Sequence, residues 1–332
     1  ILPETRRNEV LGFLENELQD LCISRPKSRL SWGIVSPISP EHVTYVWFDA
    51  LINYITACGY GTDEAKMKEL WPADVHIVGK DILRHHAVYW PVLLKALGLP
   101  MPRTIFAHGW WVQGGQKMSK SRGNVVDPVE VTRIYGVDAF RYFLLREVTF
   151  GFDGVFSEEA LIDRFNHDLA NDLGNLLHRS LTMCEKYFAG DVPAGVSGQC
   201  GGELRKTADA LFPKLAASID WLAFSEALSH LWALINQANK FIEEQAPWKL
   251  SKEGKTEELK QVIVSLLEVL KTSAQAVWPF MPATGEAIWK QLGIQTPLQK
   301  TPFRENGWGF FEKGGRVAKD APLFPRIETE KK

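Results

Sequence analysis

Short apolar runs alternate with helical patterns between about residues 36 and 112. These runs are rich in β-branched and aromatic residues and predict strands at 42–47, 74–78 and 104–107. A helical pattern after the first run ends near Gly59, and a second helix over 81–97 ends at Gly98. Alternating strands and helices predict βαβ units and a parallel sheet, in which ligands bind beyond the carboxyl ends of the strands.

Beyond Ser157 the apolar residues recur every three or four positions, the spacing that is typical of amphipathic helices. Helical spacing recurs at 158–189, 203–218, 223–246 and 256–278. A segment rich in Gly, Pro and Ser at 190–202 is predicted to connect the first two of these helices. The predicted fold class is therefore α/β, a partial Rossmann-type parallel sheet followed by an all-α helix bundle.

Composition narrows the function classes only slightly. The chain has 332 residues, which predicts two domains, and 38 Lys and Arg against 40 Asp and Glu, so any anionic partner must be held by a local patch. The four cysteines form no CxxC pair, which argues against a disulfide framework and favours a reducing, cytoplasmic compartment. No uncharged apolar run reaches about 18 residues, so no membrane partner is expected.

The clearest chemical signal is the octet KMSKSRGN at 117–124. Lys117 and Lys120 lie three residues apart among small residues, which leave backbone N–H groups accessible to a polyphosphate. Residues 82–126 contain six Lys and Arg but no Asp or Glu, so they carry a local positive field. The octet therefore predicts a phosphate clamp, although a solvated basic loop would have the same composition.

The octet also resembles the KMSKS signature loop of class I aminoacyl-tRNA synthetases. Two segments upstream of it, Val46–Tyr54 and Gly79–Ile82, resemble methionyl-tRNA synthetases more specifically. The resemblance runs from Arg6 to Glu328 and so covers nearly the whole chain. It implies ATP-dependent activation of L-methionine to methionyl-adenylate, with Mg²⁺, and transfer of the methionyl group to the 3′-terminal ribose of tRNA(Met). A monomer is expected.

The resemblance implies four regions along the chain. They are the end of a connective insertion with the C-terminal part of the Rossmann catalytic domain at 1–115, the KMSKS loop and stem-contact region at 116–156, the helical anticodon-binding domain at 157–292, and a tail that packs back on the body at 293–332.

Two stripes of aromatic and small residues follow the first two predicted strands. Members of each stripe are three or four residues apart, so each stripe lies on one face of a helix. The stripes are Trp47, Ala50 and Tyr54, then Ile82, His86 and Trp90. With Leu51, they are implied by the resemblance to line a methionine site, and aromatic rings suit a thioether. Without the resemblance, both stripes would be interpreted as ordinary core.

The resemblance also implies the residues that handle ATP. Asp81, at a strand end beside Gly79, is expected to bind a ribose hydroxyl; it could also, or only, cap the following helix. The implied ATP-binding set is Gly79, Asp81, His108, Gly109, Trp111, Met118, Ser119 and Lys120. The implied catalytic set is Lys117 and Lys120, which would neutralise the departing pyrophosphate, and Arg25, which is associated with amino-acid activation.

In the helical part, three residues resemble the anticodon readers of the family. Asn175 and Arg179 are one helical turn apart, and Trp248 follows a helix end at Pro247. Unpaired RNA bases are read by aromatic stacking and by hydrogen bonds to their edges, which these side chains can supply. Taken alone, such a Trp is more often core and such a pair more often a solvated face.

The family's second nucleotide signature, HIGH, has no counterpart in this sequence. The chain begins Ile1-Leu2 without Met, so we expect the complete enzyme to supply an N-terminal segment, either ahead of Ile1 in the same chain or as a separate piece, that carries HIGH and any zinc site. The chain alone is then expected to be poorly stable or poorly active. Two alternatives stay open: another class I synthetase, and a non-catalytic tRNA-binding fragment that uses only the helix bundle.

Overall fold

The computed structural model describes residues 1–114, 116–118, 125–196, 201–301 and 307–328. The chain divides into two compact units. The first comprises Ile1–Trp110 and Gly151–Asp153, and the second comprises Trp111–Phe150 and Gly154–Lys332. Within the described ranges, no helix is both long enough and apolar enough to cross a bilayer.

The first unit contains short strands and helices in alternation. Its elements are α1 (Glu4–Leu14), β1 (Ser24–Pro26), β2 (His42–Thr44), α2 (Val46–Ala57), α3 (Glu64–Leu70), β3 (Val75–Gly79), a 3₁₀ turn (Lys80–Ile82), a π-helical turn (His85–Tyr89), α4 (Trp90–Ala96) and β4 (Thr104–His108). β3 and β4 pair in parallel, and Gly79 lies opposite His108. The carboxyl ends of both strands therefore lie side by side, as the βαβ pattern predicted.

The first predicted strand differs from expectation. β2 pairs antiparallel with β1, with Ser24 opposite Thr44, so its predicted place in a parallel sheet is wrong. The physical reason is the segment that connects β1 to β2. Neighbouring parallel strands need a crossover connection, usually a helix, and no helix lies between β1 and β2. β2 is also shorter than predicted, because α2 already begins at Val46.

The second unit is mainly helical. Its elements are β5 (Trp111–Gln113), β6 (Gln116–Lys117), α5 (Pro128–Tyr135), α6 (Val137–Arg146), β7 (Gly154–Val155), α7 (Glu158–Arg164), a π-helical segment (Phe165–Gly174), α8 (Asn175–Phe188), β8 (Asp191–Val192), α9 (Gly202–Asp220), α10 (Phe224–Gln245), α11 (Pro247–Lys252), α12 (Thr256–Val277), α13 (Pro282–Gln291), 3₁₀ turns (Leu298–Lys300 and Phe310–Lys313) and β9 (Gly315–Arg316). Every residue of α12 from Val262 to Val277 is buried, as expected of a helix at the centre of a bundle. β9 pairs with β8, so this part of the tail lies on the bundle.

Candidate functional site

An aromatic cluster joins α2 to the helical segment that follows β3. The Tyr54 hydroxyl lies 2.8 Å from His86 Nε2, and the Trp47 ring is edge-on to His86 with a centroid distance of 6.2 Å. Trp90 is fully buried, with its ring 6.0 Å from that of Tyr54. The structure thus brings together four of the seven residues expected at a methionine site.

Hydrogen bonds fix the protonation state of His86. Its Nδ1 lies 2.9 Å from the carbonyl oxygen of Ile82, and a carbonyl only accepts, so Nδ1 carries the proton. Nε2 is then left to accept the hydroxyl hydrogen of Tyr54. Burial lowers the pKa of His86, and the bond to the Ile82 carbonyl opposes this in part. The pair therefore consists of a neutral imidazole and an oriented phenol.

The other three residues expected at the methionine site are placed differently. Leu51 is buried in the same apolar cluster as Trp90, and Ala50 is half-buried one residue before it on α2. The side chain of Ile82 packs instead in a neighbouring cluster with Val78. The described contact of Ile82 with the aromatic cluster is made by its backbone carbonyl oxygen, which lies beside His86 Nδ1.

The aromatic cluster contains three further residues that the sequence stripes missed: Trp71, His76 and His85. His85 stacks on Trp47 with ring centroids 3.9 Å apart, and Trp71 lies 5.9 Å from Trp90. His76 Nε2 accepts a hydrogen bond from Trp90 Nε1 at 3.3 Å. Burial, and then the charge of His86, lowers the pKa of His76 to about 4. The alternation of β3 could have revealed His76, since it occupies an inward-facing strand position.

The carboxyl ends of β3 and β4 carry the residues expected to bind the nucleotide. A Cβ atom at Gly79 would lie 2.6 Å from Asp81 Oδ1, so glycine permits the Asp81 carboxylate to approach this strand end. Trp110 Nε1 donates to the same Oδ1 over 3.5 Å, and His108 Nδ1 lies 2.7 Å from the Gly109 carbonyl oxygen. Asp81 is exposed within the 3₁₀ turn that Gly79 precedes, so the alternative that Asp81 is an N-cap is wrong.

A cleft of about 410 Å³ opens beside these two groups of residues. Asp81 and His85 both line it, and α1 contributes Glu9, Val10 and Phe13 to its wall. The cleft is therefore bordered by one residue from the nucleotide side and one that stacks on the aromatic cluster.

Arg25 lies on β1. Its guanidinium group is 4.1 Å from the centroid of the Tyr45 ring, a cation–π distance. Its Nη1 also donates to the Ser24 carbonyl oxygen at 3.2 Å and to Cys22 Sγ at 3.0 Å. These contacts hold Arg25 beside the residue that precedes α2.

Five residues of the predicted catalytic and ATP-binding sets belong to the second unit, and the structure describes three of them. Trp111 begins β5 and packs on Phe143 with a centroid distance of 5.6 Å. Met118 packs against the apolar cluster that contains Phe143. Lys117 ends β6, where its backbone pairs with that of Val112. Ser119 and Lys120, on which the phosphate-clamp prediction depends, lie outside the described residues.

The three residues expected to read an anticodon lie in the helical unit. Asn175 is exposed at the start of α8, and Arg179 Nη2 donates to Glu243 Oε1 at 2.7 Å. This ion pair ties α8 to the last turn of α10. Ala246, with φ of 43°, ends α10, and Trp248 follows on α11 with 36% of its surface exposed. An indole exposed just beyond this junction of α10 and α11 is accessible to a base.

Comparison with known proteins decides the family. The family model described as "tRNA synthetases class I (M)" matches residues 2–181. The chain belongs to this family. The model "Anticodon binding domain of methionyl tRNA ligase" matches residues 192–332. The first match includes the α/β part of this class I synthetase chain and extends into α8, and the second lies within the helical part, which confirms the predicted fold class and the resemblance.

Relatives of this class I synthetase chain carry a consistent name. The methionine–tRNA ligase of Caldanaerobacter subterraneus subsp. tengcongensis is 51% identical over 334 residues, which cover 100% of this chain and 52% of the relative. That of Bacillus subtilis strain 168 is 46% identical over 335 residues, 99% of this chain and 50% of the relative. The chain thus spans about half the length of the curated relatives it matches.

Two solved structures of a methionyl-tRNA synthetase are also similar to this chain. Mycobacterium tuberculosis methionyl-tRNA synthetase in complex with methionyl-adenylate is 43% identical, with a TM-score of 0.90 over 98% of this chain and 64% of the other. The apo form of the same enzyme matches at 40% identity with a TM-score of 0.86, over 99% of this chain and 64% of the other.

Proposed function

We propose that this chain serves methionine–tRNA ligation. L-Methionine is activated with ATP to methionyl-adenylate, and the methionyl group is then transferred to the 3′-terminal ribose of tRNA(Met). The observation that carries the proposal is the aromatic cluster around the Tyr54–His86 hydrogen bond, beside Asp81 at the ends of two parallel strands. Its rings suit a flexible thioether, and sulfur–aromatic contact is favourable.

In the first step, a carboxylate oxygen of methionine attacks the α-phosphorus of ATP and pyrophosphate leaves. No strong base is needed, so catalysis rests on positioning and on charge stabilisation. The Asp81 carboxylate accepts a hydrogen bond from a ribose hydroxyl, and backbone groups of residues 108–110 contact the adenine. Lys117 and Lys120 neutralise the developing charge on pyrophosphate, and Arg25 supports activation. In the second step, a ribose hydroxyl of tRNA attacks the methionyl carbonyl carbon and AMP leaves.

Mg²⁺ enters this proposal only as the counter-ion of ATP, whose phosphate charge it offsets. In the parts of the chain with described coordinates, no three His, Cys, Asp or Glu side chains are grouped to hold a metal ion. No residue among those described is therefore assigned to the metal. Asn175, Arg179 and Trp248 are proposed to contact the tRNA anticodon. A monomeric state and a cytoplasmic location stay predictions.

The test is amino-acid-dependent exchange of labelled pyrophosphate into ATP, run on this chain with each amino acid in turn. Exchange with methionine alone supports the proposal, whereas exchange with another amino acid contradicts the assigned substrate. Exchange with none would contradict activation by this chain, and anticodon-dependent tRNA binding without it would favour a non-catalytic role.

Tyr54→Phe tests whether the aromatic cluster is the methionine site. The substitution leaves His86 Nε2 without its described donor, so we expect the methionine KM to rise about tenfold while the ATP KM stays unchanged. Tyr60→Phe, at an exposed tyrosine of the same unit, is the matched control. Equal effects of the two substitutions would place the methionine elsewhere.

A further inference from the structure

One carboxylate ties together the carboxyl ends of β3 and β4. The segment Gly151–Asp153 belongs to the first unit, although the chain on either side of it belongs to the second. The Asp153 carboxylate accepts hydrogen bonds from Lys80 Nζ at 2.8 and 2.7 Å and from the backbone N–H of Trp110 at 2.9 Å. Lys80 directly follows β3, and Trp110 lies two residues beyond β4.

The ion pair is covered on its lysine side, whereas the Asp153 side chain is 43% exposed. The Lys80 side chain is only 18% exposed, and its Nζ lies 4.2 Å from the centroid of the Trp110 ring. The Lys80 ammonium group thus contacts the ring of Trp110, while the Asp153 carboxylate accepts a hydrogen bond from the backbone N–H of the same Trp110. The hydrogen bonds from Lys80 and then Trp110 lower the pKa of Asp153, because both stabilise its charged form.

Close backbone packing makes the contact specific. A Cβ atom at Gly109 would lie 2.3 Å from the carbonyl carbon and oxygen of Phe152 and 2.5 Å from the Asp153 nitrogen. Only glycine at this position lets the Gly151–Asp153 segment reach the end of β4. The indole of Trp110 in turn donates to Asp81 Oδ1. A continuous series of contacts therefore leads from Asp153 through Trp110 to the proposed ribose-binding carboxylate.

We propose that Asp153 is a positioning residue for the nucleotide. It fixes Lys80 and Trp110, so that Asp81 and the backbone of residues 108–110 keep the geometry that receives the nucleoside of ATP. The inference rests on the proposed function, because it deepens the assignment of the same site. A surface ion pair on its own adds little to stability, so a merely stabilising Asp153 would leave the selectivity among ligands unchanged.

The decisive measurement is the dissociation constant of ATP and, separately, that of methionine, by calorimetric titration of the full chain. Asp153→Asn keeps the size of the side chain but removes its charge, so we expect ATP to bind about tenfold more weakly. The methionine affinity and the thermal midpoint of unfolding should stay close to wild type. Asp74→Asn, which breaks the exposed Arg103–Asp74 ion pair of the same unit, is the matched control.

A second variant keeps the inference testable if Asp153→Asn does not fold. Lys80→Gln breaks the same ion pair from its other side and should weaken ATP binding selectively. The double variant Asp153→Asn/Lys80→Gln should be little worse than either single variant, since the two residues act through one interaction.

The outcomes separate this inference from the proposed function. A wild-type chain that binds no ATP overturns the proposed function and, with it, the role of Asp153. A wild-type chain that binds ATP, with variants at Asp153 and Lys80 that bind it equally well, overturns the positioning role alone. Equal losses of ATP and methionine affinity would also overturn it, because they would indicate general damage to the unit.

Discussion

At the scale of single residues, His76 shows how the aromatic cluster controls protonation. It is 6% exposed, and the indole N–H of Trp90 points at its Nε2. A proton on His76 Nε2 would face the Trp90 N–H, so two donors would oppose each other. It would also give the imidazole a positive charge in a buried aromatic environment, which is unfavourable. His85 and His86 have lowered pKa values in the same environment, in each case chiefly through burial. The cluster therefore favours neutral imidazoles.

This protonation preference makes the stability of the first unit depend on pH. An unfolded histidine titrates near 6.5, whereas folded His76 titrates near 4, so the unfolded state binds more protons between these values. Stability should therefore fall as the pH drops from about 6.5 to about 4, by about 3 kcal/mol from His76 alone.

Urea unfolding followed at pH 7 and at pH 4.5 measures this loss. His76→Gln cannot bind the proton, so we expect the variant to lose less stability on acidification than the wild type. His178→Gln, at an exposed histidine of α8, is the control and should keep the wild-type pH dependence. If His76→Gln loses as much stability as the wild type, His76 does not carry the effect.

At the scale of elements, helical spacing placed Tyr54, His86 and Trp90 in stripes that the structure brings together, but it did not include His85. The stripe prediction assumed one regular helix over 81–97, whereas the chain forms a 3₁₀ turn, a π turn and then α4. A π turn closes over one more residue than an α turn and changes which side chains share a face. Tertiary packing selects these helix types, so the stacking of His85 on Trp47 could not be predicted from a 3.6-residue period.

The central helix α12 carries a second feature that periodicity hides. Glu268 and Lys271 are both 0% exposed on it, and their charged groups lie 4.0 Å apart. Glu268 Oε1 accepts from the backbone N–H of Phe311 at 2.6 Å, and Lys271 Nζ donates to the Gly307 carbonyl oxygen at 3.1 Å. Burial lowers the pKa of Lys271 and the charge of Glu268 opposes this. The pair therefore fastens the C-terminal segment to the bundle.

Removing one partner of this pair should be costly. Lys271→Met leaves the Glu268 charge buried without its counter-ion, and we expect it to lower the free energy of unfolding by about 3–5 kcal/mol. Replacing both residues with apolar ones should cost less than the two single changes together. Lys260→Met breaks an exposed Glu257–Lys260 pair of the same spacing on the same helix and should cost less than about 1 kcal/mol. Urea denaturation compares them, and equal losses at positions 260 and 271 would contradict a buried ion pair.

At the scale of the whole molecule, the two units differ in how their buried apolar residues are distributed. In the described part of the second unit, one large cluster extends from Ala139 to Val317, beside a smaller one around Phe143. In the first unit, buried residues form separate clusters, one around Val78 and Leu83 and one around Leu51 and Trp90. Because stability scales with the apolar area removed from water, the second unit should withstand more denaturant than the first.

The whole chain should therefore unfold in more than one step. Five of the twelve tryptophans belong to the first unit, so we expect tryptophan fluorescence to begin to change at lower urea concentration than far-ultraviolet circular dichroism, which is dominated by the bundle. A fragment that begins at Trp111 should keep its helicity and the later transition. The complementary fragment 1–110 lacks the whole Gly151–Asp153 segment, whose backbone packs against Gly109, and should not unfold cooperatively. Coincident transitions in the whole chain, together with an unfolded 111–332 fragment, would show that the bundle depends on the first unit for its stability.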